Sequence, residues 1–376
     1  MAAQTGQNVL NETTQLTGES PFEVGPRLTE SVIDMIMIDL SRPPSPRERA
    51  RLDTRLRRLY DAEESHSRAT TSLMKVGQAS STNSVVAKSG SVRVRDTFVA
   101  RSSPAPGEWS DRKLPAKEDR PPSAQLVTPR GAGLRLELIA LFEAQTHTKT
   151  GARPENRRPL KASGDEIGWA DFLATDATDH NGNRFMTVAN KKARQLYNAI
   201  DLMHRLDLVS LPNGTAPRNK HAGFLLNNES GKRAVGPNDL YEVPGEREGH
   251  FLLPVELFTH GWINVLEDRE LQYLLMLSYF HSHSKTPEGF RVPSDFRVGH
   301  MGLGPDTYET HKWFSRYELN HVTMDIARHA NGTVDDYGDG GAAIPHTLQL
   351  LPEGLRQDAF RVVATAIEKQ LERPSN

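Results

Sequence analysis

Three cations stand within four residues at 191–194, a density that suits the binding of an anion. Lys191, Lys192 and Arg194 open the segment KKARQLYNAIDLMHRLDLV, 191–209. Its body carries apolar residues three and four apart, which is typical of an amphipathic helix, and its tail, Asp-Leu-Val, resembles the start of a strand. The cationic head therefore suits a helix whose N-terminal end meets phosphate.

Residue types that support catalysis or metal binding form weaker patterns. The chain has no cysteine, which excludes disulfides, thiol catalysis and cysteine-based zinc sites. A dinucleotide site needs a strand before its glycines, and none is predicted before GHMGLGPD, 299–306. A calcium loop needs an acid at its twelfth position, where the loop that starts with DDYGDGG, 335–341, has His346. Four histidines without a carboxylate pattern are expected on the surface: His281, His283, His311 and His321. We therefore expect no catalytic residue, no metal and no cofactor.

Length and charge indicate about two domains and an anionic partner. The chain has 376 residues, and domains commonly span roughly 100–200 residues. Residues 41–133 carry 18 Lys/Arg against 10 Asp/Glu, net +8, whereas 1–40 and 134–376 are each net −5. The N-terminus lacks a basic stretch followed by an apolar one, and no apolar run approaches the roughly 20 residues of a membrane span. We expect a cytoplasmic protein without a membrane segment.

The sequence predicts an N-terminal segment of short helices, residues 1–64, followed by a linker. TESVIDMIMIDL, 29–40, and SPRERARLDTRLRRLYDAEE, 45–64, have helical spacing, with Ser45 as a cap and Pro46 at the first position. The arginines of the second helix suit either a solvated face or a contact with nucleic acid or a partner. Residues 65–132 are rich in Ser, Thr, Pro, Arg and Lys and predict a flexible basic linker, although 91–100 alternates as a strand does.

An internal repeat follows the linker. Copy one, 134–230, and copy two, 251–352, share an order of helix, short helix, helix and hairpin. At an offset of 111 residues Tyr197 falls on Tyr308, and Asp207 falls on Glu318. The first helices align at an offset of 135 residues. This order predicts two copies of one fold, within domains 133–245 and 246–376, with a C-terminal helix in the second.

The segment ARQLYNAIDLMHRLDLVSL resembles the third helix of a winged helix-turn-helix domain running into its wing. Most members of this family have a glycine before the leucine, where Asp207 and Glu318 stand here. The resemblance implies a mainly α fold with small β-hairpin wings, and two winged-helix domains after a largely disordered basic N-terminal region. Tandem winged helices are similar to plasmid replication initiators and to bacterial regulators.

This resemblance implies double-stranded DNA as the partner, with the third helix in the major groove. Residues 188–233 hold eight Lys/Arg against three acids, net +5, and residues 303–351 hold three against seven, net −4, so copy one is expected to bind. The expected contacts are Lys191, Lys192, Arg194, Tyr197, Asn198, Arg218 and Lys220. Copy two suits a protein interface, such as that of a homodimer. A protein-interaction scaffold without DNA readout is the alternative.

Overall fold

Helix is the main regular secondary structure of the described residues, and the strands form small antiparallel sheets. The computed structural model describes residues 35–374 except 39, 111, 129–130, 163, 176–186, 217–218, 233–235, 285 and 326–343. Its helices are α1 (Pro46–Asp61), α2 (Glu63–Gln78), α3 (Val85–Ser89), α4 (Pro122–Leu126), α5 (Gly133–His147), α6 (Val188–Arg205), α7 (Glu256–Thr259), α8 (Trp262–Val265), α9 (Asp268–His283), α10 (Pro305–Tyr308), α11 (His311–Arg316) and α12 (Ala359–Leu371). The mainly α class with small hairpins is therefore confirmed.

The strands are short and pair with antiparallel neighbours. They are β1 (Met35–Met37), β2 (Ser91–Arg95), β3 (Val209–Ser210), β4 (Leu225–Leu226), β5 (His250–Pro254), β6 (Phe290–Arg291), β7 (Asn320–Asp325) and β8 (Thr347–Leu350). One sheet has the order β1-β7-β8-β6, while β2 pairs with β5 and β3 pairs with β4. Short 3-10 turns cover Trp169–Phe172 and Pro352–Arg356, and a π-helical turn covers Phe296–His300.

The two copies repeat the same order of elements. In copy one, α5, the turn Trp169–Phe172 and α6 lead into the β3–β4 hairpin. In copy two, α9, the turn Phe296–His300 and the pair α10 and α11 lead into the β7–β8 hairpin. The predicted order of helix, short helix, helix and hairpin is therefore observed in both segments, with β6 as an additional strand between α9 and the turn of copy two.

Each copy turns from helix to strand through a left-handed residue. Asp207 and Glu318 both have φ 59°, and within the described ranges they are the non-glycine residues with positive φ. In both copies the following leucine N–H donates to a carbonyl five residues earlier at 2.9 Å, from Leu208 to Met203 and from Leu319 to Phe314. A bond of this kind closes the end of a helix when the residue after the helix has left-handed backbone angles. Asp207 and Glu318 occupy that left-handed position, which usually favours glycine. The matching geometry at equivalent positions supports duplication of one unit.

The segment before α1 is a strand where it is described. Met35–Met37 pairs with Thr323–Asp325 of β7, so the helix predicted over 29–40 is wrong at these residues, and 29–34 lie outside the described residues. A short apolar run has no periodicity that separates helix from strand, and here the edge of β7 supplies a partner. The second predicted helix is confirmed as α1, and the Ser45 hydroxyl accepts from the Glu48 N–H at its start.

Several arginines of α1 serve the fold. Arg55 makes two bonds of 2.7 Å to the carboxylate of Glu270, whose side chain is 1% exposed. Arg49 donates to the backbone carbonyls of Leu371 and Arg373 at the end of α12. Removing one partner of a buried ion pair typically costs about 3–5 kcal/mol. Part of the basic character of this helix therefore stabilises its packing on α12 and α9.

The prediction of a flexible linker over 65–132 is contradicted for most of its length. Helix α2 continues to Gln78 and buries Ala69, Leu73 and Val76 on one face. Strand β2 buries Val92 and Val94 fully and pairs along its whole length with β5. Although the segment is polar on average, its apolar residues recur every three or four positions in the helix and every two in the strand. Each element therefore has one apolar face that can be buried in a larger core. The alternation noted over 91–100 is confirmed in β2.

Strand β2 joins the two copies. Its ladder partner β5 leads into copy two, while the Arg93 N–H donates to Gln145 of α5 at 2.9 Å. Arg95 forms an ion pair of 2.5 Å with Glu229, which follows β4 in copy one and is fully buried. The described residues from Met35 onward accordingly form one compact unit, so the described parts of the expected segments 65–132, 133–245 and 246–376 are not separate units.

Candidate functional site

Helix α6 presents a polar face opposite its packed side. The Thr187 hydroxyl caps the helix by accepting from the Asn190 N–H at 3.2 Å. The packed side consists of Ala193, Leu196, Ala199, Ile200 and Met203. With about 3.6 residues per turn, the opposite side carries Arg194, Asn198, Asp201 and Arg205. Of these, Asp201 is partly buried and the others are exposed.

The two lysines at the head of α6 lie differently from the arginine. Lys192 is half-buried on the packed side, in the electrostatic field of Asp171 and Arg68. Burial lowers the pKa of its ammonium, and Asp171 opposes that shift. Lys192 is therefore not on the outward face of α6, and this placement disfavours the predicted phosphate contact. Lys191 is also half-buried, at the edge of the outward face.

The β3–β4 hairpin folds back onto α6 through Asp201. Lys220 Nζ donates to Asp201 Oδ1 at 2.7 Å, and His221 Nε2 lies 3.0 Å from the same oxygen. The His221 ring stacks on Tyr197, with centroids 5.0 Å apart and planes within 9°. Partial burial would raise the pKa of Asp201, but the hydrogen bonds from Lys220 and His221 lower it. Lys220 therefore contacts α6, and Arg218 lies outside the described residues.

The equivalent helices of copy two, α10 and α11, are covered in part: Tyr308 and Arg316 are half-buried, whereas Glu309 and Lys312 are exposed. The Arg297 guanidinium lies 5.0 Å from the ring centre of Tyr308, and Lys312 pairs with Glu309. Arg316 donates to the Leu40 carbonyl at 3.3 Å. Copy two thus uses these side chains for intramolecular contacts.

The glycines of 299–306 accommodate a strap formed by the described residues of 101–120, that is, all but 111. A side chain at Gly299 would collide with the Trp109 ring, and one at Gly302 would collide with Arg120. A side chain at Gly304 would come within 3.2 Å of Leu114, which is a tight contact. The strap is also bonded to the π-helical turn, since the Ala105 N–H donates to the Gly299 carbonyl at 2.7 Å. This glycine-rich run therefore packs against protein at the start of the third helix of copy two.

Of the four histidines expected on the surface, His281 and His321 are exposed, whereas His283 is half-buried and His311 is buried. His311 is 1% exposed, and its Nδ1 lies 2.7 Å from the Tyr308 carbonyl. His283 Nε2 lies 3.1 Å from Asp96 Oδ2, which raises the pKa of the His283 ring although burial opposes the shift. Where the structure is described, no group of three or more His, Asp or Glu side chains has metal-binding geometry. Asp335, Asp336 and Asp339 lie outside the described residues.

Comparisons of this chain with protein-family models, with curated proteins and with solved structures return no match. Within the described ranges, no helix combines the length and the apolarity that a membrane crossing requires.

The structure adds Arg205 to the outward face and links the expected contacts to one another. Arg194, Asn198 and Arg205 lie on one side of α6, and Tyr197 connects that side to the hairpin through His221. Arg194, Asn198, Asp201 and Arg205 follow one another at steps of four, three and four residues, a helical spacing that is visible in the sequence. Arg205 was not among the predicted contacts because it lies next to the predicted strand. Arg and Asn side chains at this spacing can bind neighbouring acceptor and donor groups on one rigid surface.

Proposed function

We propose that this protein binds double-stranded DNA without catalysing a reaction, through a winged-helix domain formed by copy one. In this proposal α6 is the recognition helix and the β3–β4 hairpin is the wing. The chain then acts in the cytoplasm as a transcriptional regulator or a replication initiator, in line with the resemblance of its third helix. Copy two is a second winged helix whose surface has a different use.

The exposure of Arg194 and Asn198 on the outward face of α6 is the observation that carries the proposal. A helix of this kind fits the major groove, where arginine can bind guanine and asparagine can bind adenine through paired hydrogen bonds. Exposed Arg205 extends the cationic face by two further turns. The hairpin adjoining α6 would then lie along the flanking backbone.

The contrast between the copies supports the choice of copy one. Residues 188–233 have net charge +5 and residues 303–351 have net charge −4. Because affinity for duplex DNA comes largely from neutralising phosphates, an acidic surface is unfavourable. In addition, Tyr308 and Arg316 of copy two are half-buried, in contact with Arg297 and with the Leu40 carbonyl of the same chain. A homodimer interface on copy two remains a prediction.

Selection from a random duplex pool by the purified full chain tests the proposal. We expect the selection to recover a sequence motif. Affinity for that motif should fall steeply as salt rises, because the release of counterions from DNA phosphates contributes to binding. Equal affinity for selected and scrambled duplexes would contradict specific readout. No binding to any duplex at 50 mM salt would refute the proposal and favour the interaction scaffold.

A further inference from the structure

Copy one has a basic loop that copy two lacks. The basic loop, residues 149–161 between α5 and the turn Trp169–Phe172, carries five Lys/Arg and one Glu, net +4. The whole connection of copy one, 148–168, carries five Lys/Arg and three acids, net +2, whereas the corresponding connection in copy two, 284–295, carries two cations and two acids, net 0. The copy-two connection contains β6, which pairs with β8 of the copy-two hairpin. The same place in copy one is therefore occupied by a longer and more basic segment.

The basic loop lies against the hairpin that adjoins α6. Asn156 Nδ2 donates to the carbonyl of Phe224, the residue before β4, at 2.8 Å. Trp169 Nε1 donates to Asn156 Oδ1 at 3.0 Å, and the Trp169 and Phe224 rings lie 5.0 Å apart. The loop thus continues the surface of the hairpin on the side of its returning strand.

Backbone bonds hold both ends of the basic loop. The Gly151 N–H donates to the Val243 carbonyl at 2.9 Å, and the Val243 N–H donates to the Ala152 carbonyl at 3.0 Å. Near the other end, the Trp169 N–H donates to the Pro159 carbonyl at 2.9 Å. Gly168 packs so closely on the backbone of Lys161 that a side chain there would collide. The loop therefore presents its side chains from a defined position.

One arginine of the loop serves the fold, and the other cations face solvent. Arg158 bonds to Glu143 at 3.0 Å and to the Ile167 carbonyl at 2.8 Å. Lys149 and Lys161 are exposed, and the Arg157 side chain is 86% exposed although it pairs with Glu155. Exposed ion pairs contribute about 0–1 kcal/mol, so Arg157 can exchange Glu155 for another anion at little cost.

We propose that the basic loop is a second DNA-contacting element, which binds backbone phosphates beside the hairpin. This inference rests on the proposed function, because it places α6 in a groove and the hairpin along the flanking backbone. The loop then extends the cationic surface past β4 to phosphates further along the duplex. Phosphate contacts fix position and carry no direct sequence information, so the loop raises affinity for all duplexes alike.

Salt-dependent binding of the full chain tests the loop directly. The test variant replaces Lys149, Arg157 and Lys161 by alanine. The control replaces Lys75, Lys88 and Lys369, which are exposed on α2, α3 and α12, and changes net charge equally. Anisotropy with a labelled selected duplex and a scrambled one gives affinity at each salt concentration. Thermal unfolding checks that both variants fold as the wild-type chain does.

We expect the test variant to shallow the slope of log affinity against log salt by up to about 2.7, near 0.9 per phosphate contact. Affinity at 0.15 M salt should fall roughly 10- to 100-fold for both duplexes, and the control should stay within about twofold of wild type. Equal slopes for test and control variants would overturn the role of the loop and leave the proposed function intact. Absence of binding by the wild-type chain would overturn both.

Discussion

Asp201 is an acid on the surface that we propose faces DNA, and its replacement by asparagine should tighten binding. Its carboxylate holds Lys220 Nζ at 2.7 Å and His221 Nε2 at 3.0 Å. Asparagine keeps an oxygen that can accept from His221, so the hairpin should stay docked on α6. The substitution removes a negative charge from the outward face and releases the Lys220 ammonium.

The size of the effect follows from one additional phosphate contact. Such a contact steepens the slope of log affinity against log salt by about 0.9. If variant and wild type bind equally at 1 M salt, the variant then binds roughly fivefold more tightly at 0.15 M salt. The side chains of Lys220 and Asp201 are 41% and 33% exposed, so loss of their pair should reduce stability by no more than about 1 kcal/mol. The chain should therefore remain folded while its affinity rises.

Anisotropy with the selected duplex, over a series of salt concentrations, measures both quantities. Asp53→Asn on α1 is the matched control, because Asp53 is exposed and the charge change is the same. We expect Asp201→Asn to bind about fivefold more tightly than the control at 0.15 M salt. Affinity equal to that of the control, or a shallower slope, would refute the placement of DNA on the outward face of α6.

Three further predictions concern stability and folding. Burial and the cations Arg135 and Lys192 lower the pKa of His66 from 6.5 to about 4, so the stability present above pH 6.5 should be lost as pH falls from 6.5 to 4. Between pH 7 and 5, the unfolding free energy of His66→Asn should fall by up to about 2 kcal/mol less than that of wild type, as measured by urea titration. An equal fall in both proteins would contradict this. Glu318→Gly should raise the unfolding free energy by up to about 1 kcal/mol, by relieving left-handed strain, and destabilisation in denaturant titrations would contradict it. Trypsin should cleave the folded chain slowly at Arg93 and Arg95, because both are in β2. Rapid cleavage at these residues, detected by mass spectrometry, would instead support the prediction of a flexible linker.

The repeat and its helix-to-strand turn could be predicted because they rest on local patterns. The amphipathic spacing of α6 and the equivalence of Asp207 and Glu318 are readable from one sequence, and both have φ 59° in the structure. The N-cap of α1 at Ser45 is also a local signal. Such features are set by residues that are close to one another in the sequence, so they can be predicted without knowledge of the tertiary structure.

The position of β2 could not be predicted because its partners are distant in sequence. Arg95 meets Glu229, and β2 pairs with β5, across more than 130 intervening residues. The side of α6 on which Lys192 lies also depends on Asp171 and Arg68, which belong to other elements. Composition alone therefore made an ordered segment resemble a linker and a half-buried lysine resemble a surface cation.

Discrimination between selected and scrambled duplexes by Arg194→Ala and Asn198→Ala tests the central proposal most directly. Each substitution should lower discrimination by about 1–3 kcal/mol, because each removes a base contact, while Lys312→Ala in copy two should leave discrimination unchanged. Anisotropy of the full chain with both duplexes at one fixed salt concentration gives the value. Undiminished discrimination in both α6 variants, or an equal loss in Lys312→Ala, would contradict the assignment of DNA readout to copy one.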